Sequence, residues 1–152
     1  MNCEGIENLP LLAELYLAEN QIKSIAGLKS LPSLKWLHLR MNELVEFDEV
    51  PDLPALEYLN LWETKIESIE QIKKLKKLQT VKWIGTQGAP ISEGDFIKEL
   101  LLANEGIKYK FINKEEITPE ILEEVKALKE ERRLAEEERK WEEEEKRWEE
   151  EE

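Results

Sequence analysis

The feature that most constrains the fold of this chain is an internal repeat with a period of 22 residues. Apolar residues recur in the same columns of three consecutive units, and an Asn or Thr follows each group of leucines. The columns are Leu12, Leu15, Leu17, Asn20, Ile22, Ile25, Leu28 and Leu31, then Leu34, Leu37, Leu39, Asn42, Leu44, Phe47, Val50 and Leu53, then Leu56, Leu59, Leu61, Thr64, Ile66, Ile69, Ile72 and Leu75. One unit of this size cannot bury its apolar side alone, so adjacent units must stack.

Each unit begins as a β-strand. In residues 15–17, alternation sends two leucines to one side and the residue between them to the other. The Asn at the following bend, Asn20 or Asn42, carries an amide that can satisfy the backbone of the turn. Thr64 and Thr86 occupy this column later, which predicts a weaker turn there. The segments that lead back to the next strand are predicted to be helical or 3₁₀, namely residues 25–31, 47–53 and 69–75.

A fourth unit begins at Leu78 and Val81, and the same step of 22 places Trp83 in the last leucine column. The repeat pattern is then broken by Gly85, Gly88 and Pro90. Phe96–Ala103 has the spacing of an amphipathic helix, between a Ser-Glu-Gly-Asp start and an Asn-Glu-Gly stop. Ile107–Ile112 alternates like a short strand.

The pattern L-x-x-L-x-L-x-x-N-x-I resembles that of leucine-rich repeats. The segments Phe96–Leu101 and Ile117–Glu120 are similar to the C-terminal cap of the intracellular 22-residue class. That class includes a protein-phosphatase-1 regulator, the spliceosomal A′ protein, the outer-arm dynein light chain and acidic nuclear phosphoproteins. The resemblance covers roughly residues 1–122. It implies an α/β leucine-rich-repeat solenoid, with a parallel sheet on the concave face, a helical or 3₁₀ convex side and a C-terminal cap.

The strand positions between the leucines are expected to face the concave surface. In the fourth unit these positions include Thr80 and Ile84. Trp, Tyr and Arg, which are enriched at interface hot spots, are frequent among them. The predicted protein-binding residues on this face are Tyr16, Trp36, His38, Arg40, Tyr58, Asn60, Trp62 and Lys82. The alternative is that these rings fold against their neighbours and only shield the strands.

The C-terminal segment is predicted to be one long helix. Thr118 and Pro119 suit an N-cap and a first helical position, and neither Gly nor Pro follows before the end of the chain. We therefore divide the chain into a repeat domain, residues 1–118, and a Glu/Lys/Arg-rich helix, residues 119–152. Leu134, Trp141 and Trp148 lie on one line at heptad spacing. Trp141 and Trp148 are predicted to contact a neighbouring protein; the alternative is a solvated helix.

The charge is concentrated in this helix. The chain has 22 Lys and Arg against 35 Asp and Glu, a net charge of −13. Residues 115–152 hold 18 acids and 8 bases, which leaves 17 acids and 14 bases elsewhere. An acidic chain lacks the basic face that phosphate binding needs, so nucleic acid is not an expected partner.

Catalysis and metal binding have little in the sequence to work with. There is one Cys and one His, too few for a zinc site or an internal disulfide, and no phosphate-binding loop follows Gly85–Gly88. No enzyme activity, cofactor, metal or small-molecule substrate is therefore expected. The absence of a signal peptide and of a long apolar run predicts a soluble intracellular, cytoplasmic protein with no membrane partner.

The first repeat has no capping helix before it. Cys3, Ile6 and Leu9 fall in the columns of Ile25, Leu28 and Leu31, so the sequence begins midway through a unit. The strand at residues 12–17 is then expected to present an open edge, which proteins usually cover. Three explanations remain open: residues 1–10 cover this edge, another chain stacks on it, or the sequence is an incomplete product.

Within the capped class, the chain is most similar to the leucine-rich-repeat subunit of ciliary radial spokes. The resemblance rests on Leu37–Asn42, Tyr58–Leu61 and a cap that leads directly into a charged helix. It implies a scaffold in a large assembly, the axoneme of a cilium or flagellum. Two alternatives remain open: a regulator that binds a phosphatase or motor through the concave face, and an acidic nuclear chaperone that binds histones.

Overall fold

A computed structural model describes residues 3–151. The chain divides into two compact units, with the boundary between Ile117 and Thr118. The first unit contains the repeats and the cap, and the second is a single helix. Among the described residues, no helix combines the length and the apolar character that a membrane span requires.

The first unit is built on a six-stranded sheet whose strands follow one another in chain order. The strands are β1 Glu14–Tyr16, β2 Trp36–His38, β3 Tyr58–Asn60, β4 Trp83–Gly85, β5 Phe111–Ile112 and β6 Glu115–Glu116. The first five pair in parallel, and β6 pairs antiparallel with β5. The architecture is therefore α/β with a mixed, mostly parallel sheet.

The first three strands have the register that the repeat predicts. Leu15 pairs with Leu37, and Leu37 pairs with Leu59, each 22 positions along the chain. Leu37 and Leu59 are no more than 1% exposed, because each is covered by the units on both sides. Leu15 in the first unit is only half-buried. The leucine columns thus form one continuous core through the stack.

The step from the third to the fourth strand is 25 residues, not 22. Leu59 pairs with Ile84, so Ile84 enters the core and is 1% exposed. The placement of Trp83 in a leucine column and of Ile84 on the concave face was therefore wrong. Thr86 is likewise fully buried in the column of Leu61 rather than at the bend.

A longer convex segment causes this shift. The helix α1 spans Ile69–Lys73 and continues as a 3₁₀ turn, Lys74–Lys77. The Ser68 hydroxyl caps the start of α1 by accepting a hydrogen bond from the Glu70 N–H at 3.2 Å. Buried apolar residues recur here every third position, at Ile72, Leu75, Leu78 and Val81. With the half-buried Ile69 the row has five members, one more than the rows of the first two units, which adds three residues. Those rows are Ile25, Leu28, Leu31 and Leu34, and Phe47, Val50, Leu53 and Leu56.

The other two convex segments are not helical, contrary to prediction. A Cβ on Gly27 would lie 2.9 Å from the backbone carbon of Cys3, so the chain there is held against its neighbour at a distance that needs glycine. Pro51 stands in the second segment and cannot donate to a helical hydrogen bond. The third segment has neither residue, and good helix formers fill it.

The Asn column ties neighbouring units together. The Asn42 amide donates to the carbonyls of Leu17 at 2.8 Å and Leu39 at 2.9 Å, while its oxygen accepts from the Ile22 N–H at 3.0 Å. Thr64 makes one such bond, to the Leu61 carbonyl at 2.9 Å. The expected role of Asn is confirmed, and Thr64 makes fewer hydrogen bonds at its bend than Asn42 does.

The cap closes the C-terminal end of the sheet. Its helix α2 spans Phe96–Ala103, the residues predicted for it, and buries Phe96 and Leu100. The strand β5 is shorter than the predicted segment 107–112, since only the last two residues of that segment pair in the sheet. A tight turn at Asn113 and Lys114, with φ of 51° and 67°, pairs β5 with β6. This hairpin was not anticipated.

The second unit is the helix α3, Pro119–Glu151, 33 residues long. The Thr118 hydroxyl accepts a hydrogen bond from the Ile121 N–H at 3.3 Å and so caps its first turn. Along the helix, Arg133 pairs with Glu130 and Glu137, both at 2.6 Å. At about 1.5 Å per residue, the helix is roughly 50 Å long.

The N-terminal edge remains open within the described residues. β1 pairs on one side only, with β2. In the preceding segment, Glu7 bridges to Lys29 and Cys3 is buried.

We expect Asn42→Ala to lower the free energy of unfolding by about 2–4 kcal/mol, since it leaves a buried N–H and a buried carbonyl without partners. Asn20→Ala is the matched control, because Asn20 stands one unit earlier and is exposed. It should cost less than about 1 kcal/mol. Equal losses in urea unfolding would contradict the assigned role of the Asn42 amide.

Candidate functional site

The strand register brings aromatic residues into one column of the concave face. The residues of this column, from β1 to β5, are Glu14, Trp36, Tyr58, Trp83 and Phe111. The next outward column contains Tyr16, His38, Asn60 and Gly85. We call Tyr16, Trp36, His38, Tyr58 and Trp83 the aromatic ladder.

The rings of the aromatic ladder stack on one another. The ring centroids of Trp36 and Tyr58 are 4.8 Å apart, and those of Tyr58 and Trp83 are 4.1 Å apart. Tyr16 and His38 stack at 4.2 Å with an angle of 10° between their planes. Parallel strands in register lie about 4.8 Å apart, so rings in one column meet at stacking distance.

The two ends of the aromatic ladder differ in accessibility. Tyr16 is 61% exposed and Trp36 is 41% exposed, whereas Tyr58 and Trp83 are half-buried. The rings therefore do shield one another, as the alternative interpretation expected. The N-terminal part nevertheless leaves two large aromatic side chains open to solvent.

Trp62, predicted as a binding residue, is held by its surroundings. A Cβ on Gly85 would lie 2.2 Å from the Trp62 Nε1, so the indole occupies the space that a side chain would fill. The Lys114 Nζ lies over the same indole, 4.6 Å from the ring centroid. Trp83 packs at its side, with ring centroids 6.1 Å apart.

Trp83, Gly85 and Lys114 were missed by the sequence analysis. The spacing Val81-x-x-Ile84 repeats that of Leu56-x-x-Leu59, and this signal could have placed Trp83 beside Tyr58. The contact of Lys114 depends on the unanticipated hairpin, and nothing in the repeat pattern indicates it.

Three predicted polar residues have different environments. Asn60 is 5% exposed, and its side-chain oxygen accepts from the Trp62 N–H at 2.9 Å, so its amide serves the strand end. Lys82 was predicted on the concave face, but it precedes β4 and stands outside the two outward columns. Its Nζ lies 3.7 Å from the Glu57 carboxylate. Arg40 is exposed beside Trp62, with its Nε 3.9 Å from Glu63.

His38 lies in the middle of the aromatic ladder. Tyr16 stacks on it, the Tyr58 ring is 4.8 Å away, and its Nε2 has no hydrogen-bond partner among the described residues. Burial lowers the pKa of His38, and the charge of Glu14 opposes this shift. Within residues 3–151 no group of His, Cys, Asp or Glu side chains is arranged to hold a metal ion.

The tail tryptophans are both exposed on α3. Trp141 is 66% exposed and Trp148 is 54% exposed, with Leu134 at 52% on the same line. The structure thus brings the concave residues together and places the tail residues in a separate unit.

We expect the unfolding free energy to fall with decreasing pH through the ordinary His pKa of 6.5, because the unfolded chain binds the proton more tightly. The contribution of neutral His38 is present above that pH and is lost below it. His38→Gln should flatten this part of the profile, measured by urea unfolding at several pH values. Parallel profiles for both proteins would contradict the lowered pKa.

No protein-family model matches the chain, and no curated protein matches it in sequence. Among solved structures, it is similar to a chain in the crystal structure of the Drosophila melanogaster SNF/U2A' complex, a leucine-rich-repeat neighbour. The TM-score is 0.70 at 15% sequence identity, over 83% of this chain and 78% of that chain. The likeness establishes the fold of this chain, which is that of a leucine-rich-repeat protein.

Proposed function

We propose that this protein is a non-enzymatic binding module that holds another protein against its concave face. The observation that carries the proposal is the exposure of Tyr16 and Trp36 on adjacent strands, where both rings contact His38. A soluble protein gains nothing in stability from leaving such rings in water, and exposed apolar patches commonly mark binding sites. Rigid strands hold both rings in place before the partner arrives, which lowers the entropy cost of binding.

The surroundings of this pair suit a protein partner. Arg40 and Met41 are exposed in the segment that follows β2, Met41 to 43%, and so add a cation and a flexible apolar side chain to the accessible surface of the second unit. Aromatic residues, Met and Arg are the types enriched in protein interfaces. In this proposal Tyr58, Trp62 and Trp83 support the exposed pair from the C-terminal side, and Asn60 holds the strand end.

We expect a photoreactive amino acid at position 36, introduced into the full chain in cells, to crosslink to another protein. The same amino acid at position 45 is the matched control, since Val45 is exposed to 49% and stands outside the concave columns. For the partner so captured, Tyr16→Ala with Trp36→Ala should weaken binding by about 30-fold or more, as hot-spot residues do.

Val45→Ala should leave that affinity unchanged. A crosslink from position 45 but none from position 36, or equal affinity of the double variant with an unchanged fold, would refute the concave face as the binding site. Circular dichroism and urea unfolding of each variant establish whether the fold is retained.

We further propose that the repeats form a solenoid and that the protein is a static scaffold in a large assembly, the radial spoke of a ciliary or flagellar axoneme. This assignment rests on the sequence resemblance at Leu37–Asn42 and Tyr58–Leu61 and on the order of cap and charged helix. The proposed domains are residues 1–118 and 119–152, the proposed location is the cytoskeleton, and nucleic acid is not a proposed partner.

We expect a tagged full chain, expressed in a ciliated cell, to stay with the axoneme after detergent extraction. Removal of residues 124–152 should release it, because a scaffold needs both of its surfaces. Release of the intact chain together with a phosphatase would favour the regulator instead. Nuclear location with salt-sensitive binding to histones would favour the chaperone, whose contacts would be ionic and screened.

A further inference from the structure

The charged residues of α3 repeat every seven positions, in register with Leu134, Trp141 and Trp148. In each of the segments 132–138, 139–145 and 146–152, two basic residues precede one apolar residue, and Glu residues fill the last three positions. We call the apolar residues of these heptads, Leu134, Trp141 and Trp148, the tail stripe. Each is more than half exposed, at 52%, 66% and 54%.

Helical geometry places the two kinds of charge on different sides of the tail stripe. At about 100° per residue, the third position after each stripe residue lies about 60° to one side of it, and the fourth position lies about 40° to the other side. After Leu134 these positions are Glu137 and Glu138, and after Trp141 they are Glu144 and Glu145. The basic pair before each stripe residue lies about 100° and 160° away, toward the back of the helix.

The two Glu rows differ in their contacts. In the row about 60° away, Glu137 pairs with Arg133 at 2.6 Å and Glu144 pairs with Arg147 at 3.6 Å. In the other row, neither Glu138 nor Glu145 has an ion pair or hydrogen bond with any described residue. Indole rings and unpaired carboxylates thus share one exposed face of the helix.

A second copy of this chain does not suit that face. If two tail stripes packed together, the positions flanking the seam would set Glu against Glu in every heptad, and such pairs repel. One apolar residue per heptad also supplies too little burial to hold two such helices together. A partner with the opposite charge removes the repulsion and can supply the missing apolar surface.

We propose that the tail stripe docks on a helical segment of a partner protein whose apolar seam is flanked by Lys and Arg. The partner's cations would pair with Glu138 and Glu145 and would lie against the faces of Trp141 and Trp148, where cation–π attraction adds to the ion pairs. This contact is independent of the concave face.

The test uses the full chain and a labelled synthetic peptide of four heptads, with Leu at its seam positions and Lys at the flanking positions. The control peptide has Glu in place of each Lys. By fluorescence anisotropy, the Lys peptide should bind and the Glu peptide should not. Trp141→Ala with Trp148→Ala should weaken binding of the Lys peptide at least about tenfold, because the double variant loses two aromatic contacts.

A charge-matched pair of variants separates the face from net acidity. Glu138→Gln with Glu145→Gln removes two charges beside the tail stripe, and Glu136→Gln with Glu143→Gln removes two from the back of the helix. Only the first should weaken binding severalfold. Tyr16→Ala with Trp36→Ala should leave peptide binding unchanged, so the outcome does not depend on the function proposed for the concave face.

Three results would overturn the proposal. Binding of the Lys peptide that is unaffected by the tryptophan variants would show attraction to net charge alone. Equal binding of the Glu peptide would remove the role of charge. Sedimentation that shows a dimer, lost in the tryptophan variants, would make a second copy the occupant. Circular dichroism at 222 nm of each variant reports whether α3 is retained.

Discussion

The burial of leucine columns between stacked units is the interaction on which the rest of the structure depends. A strand of three residues with one inward leucine has no core of its own. Leu37 and Leu59 are almost fully buried because a unit lies on each side of them, while Leu15 at the free edge is only half-buried. Asn42 adds the polar part of the same interaction, since its amide bonds the backbone of its own unit and of the preceding one.

The aromatic ladder is a consequence of this stacking. Strands that pair in parallel and in register repeat every outward side chain at the strand spacing, and planar rings at that spacing stack. The C-terminal end of the sheet then supports the ladder: Gly85 leaves room for Trp62, and Lys114 lies over its ring. Tyr16 and Trp36 remain accessible at the other end, on a base that the core already holds rigid.

Much of the fold was predictable because its signals are local or periodic. The strands β1 to β3, the cap helix α2 and the Asn turn follow from recurring leucines, from helix-start and helix-stop residues and from amide chemistry. The prediction went wrong at the fourth strand, where a period of 22 was extended through a segment that is three residues longer. Leu78-x-x-Val81 and Val81-x-x-Ile84 both have the spacing of Leu56-x-x-Leu59, so the sequence offers two registers for the fourth strand, and the pairing with β3 selects the second.

The candidate site was predictable in part for the same reason. Tyr16, Trp36, His38 and Tyr58 lie where strand parity places them, because the first three units share one period. Lys82 and Ile84 do not, and Trp83 takes the place beside Tyr58. On α3, the heptad order of bases, apolar residues and acids is a property of the sequence, and helical geometry alone turns it into a stripe with acidic flanks.

The sequence by itself determined that this chain stacks repeated units, that their leucines form the core and that a long charged helix follows. These properties depend on the periodicity of the apolar residues and on local secondary-structure propensity, and both can be read directly from the sequence. The tertiary structure alone decided which tryptophans are free. Trp36 and Trp62 both fall at predicted concave positions. Trp62, however, is packed over Gly85 beside Trp83, residues brought there by a longer convex turn, whereas Trp36 remains 41% exposed. Exposure is set by neighbours distant in sequence, and one added turn of backbone changes which neighbours those are.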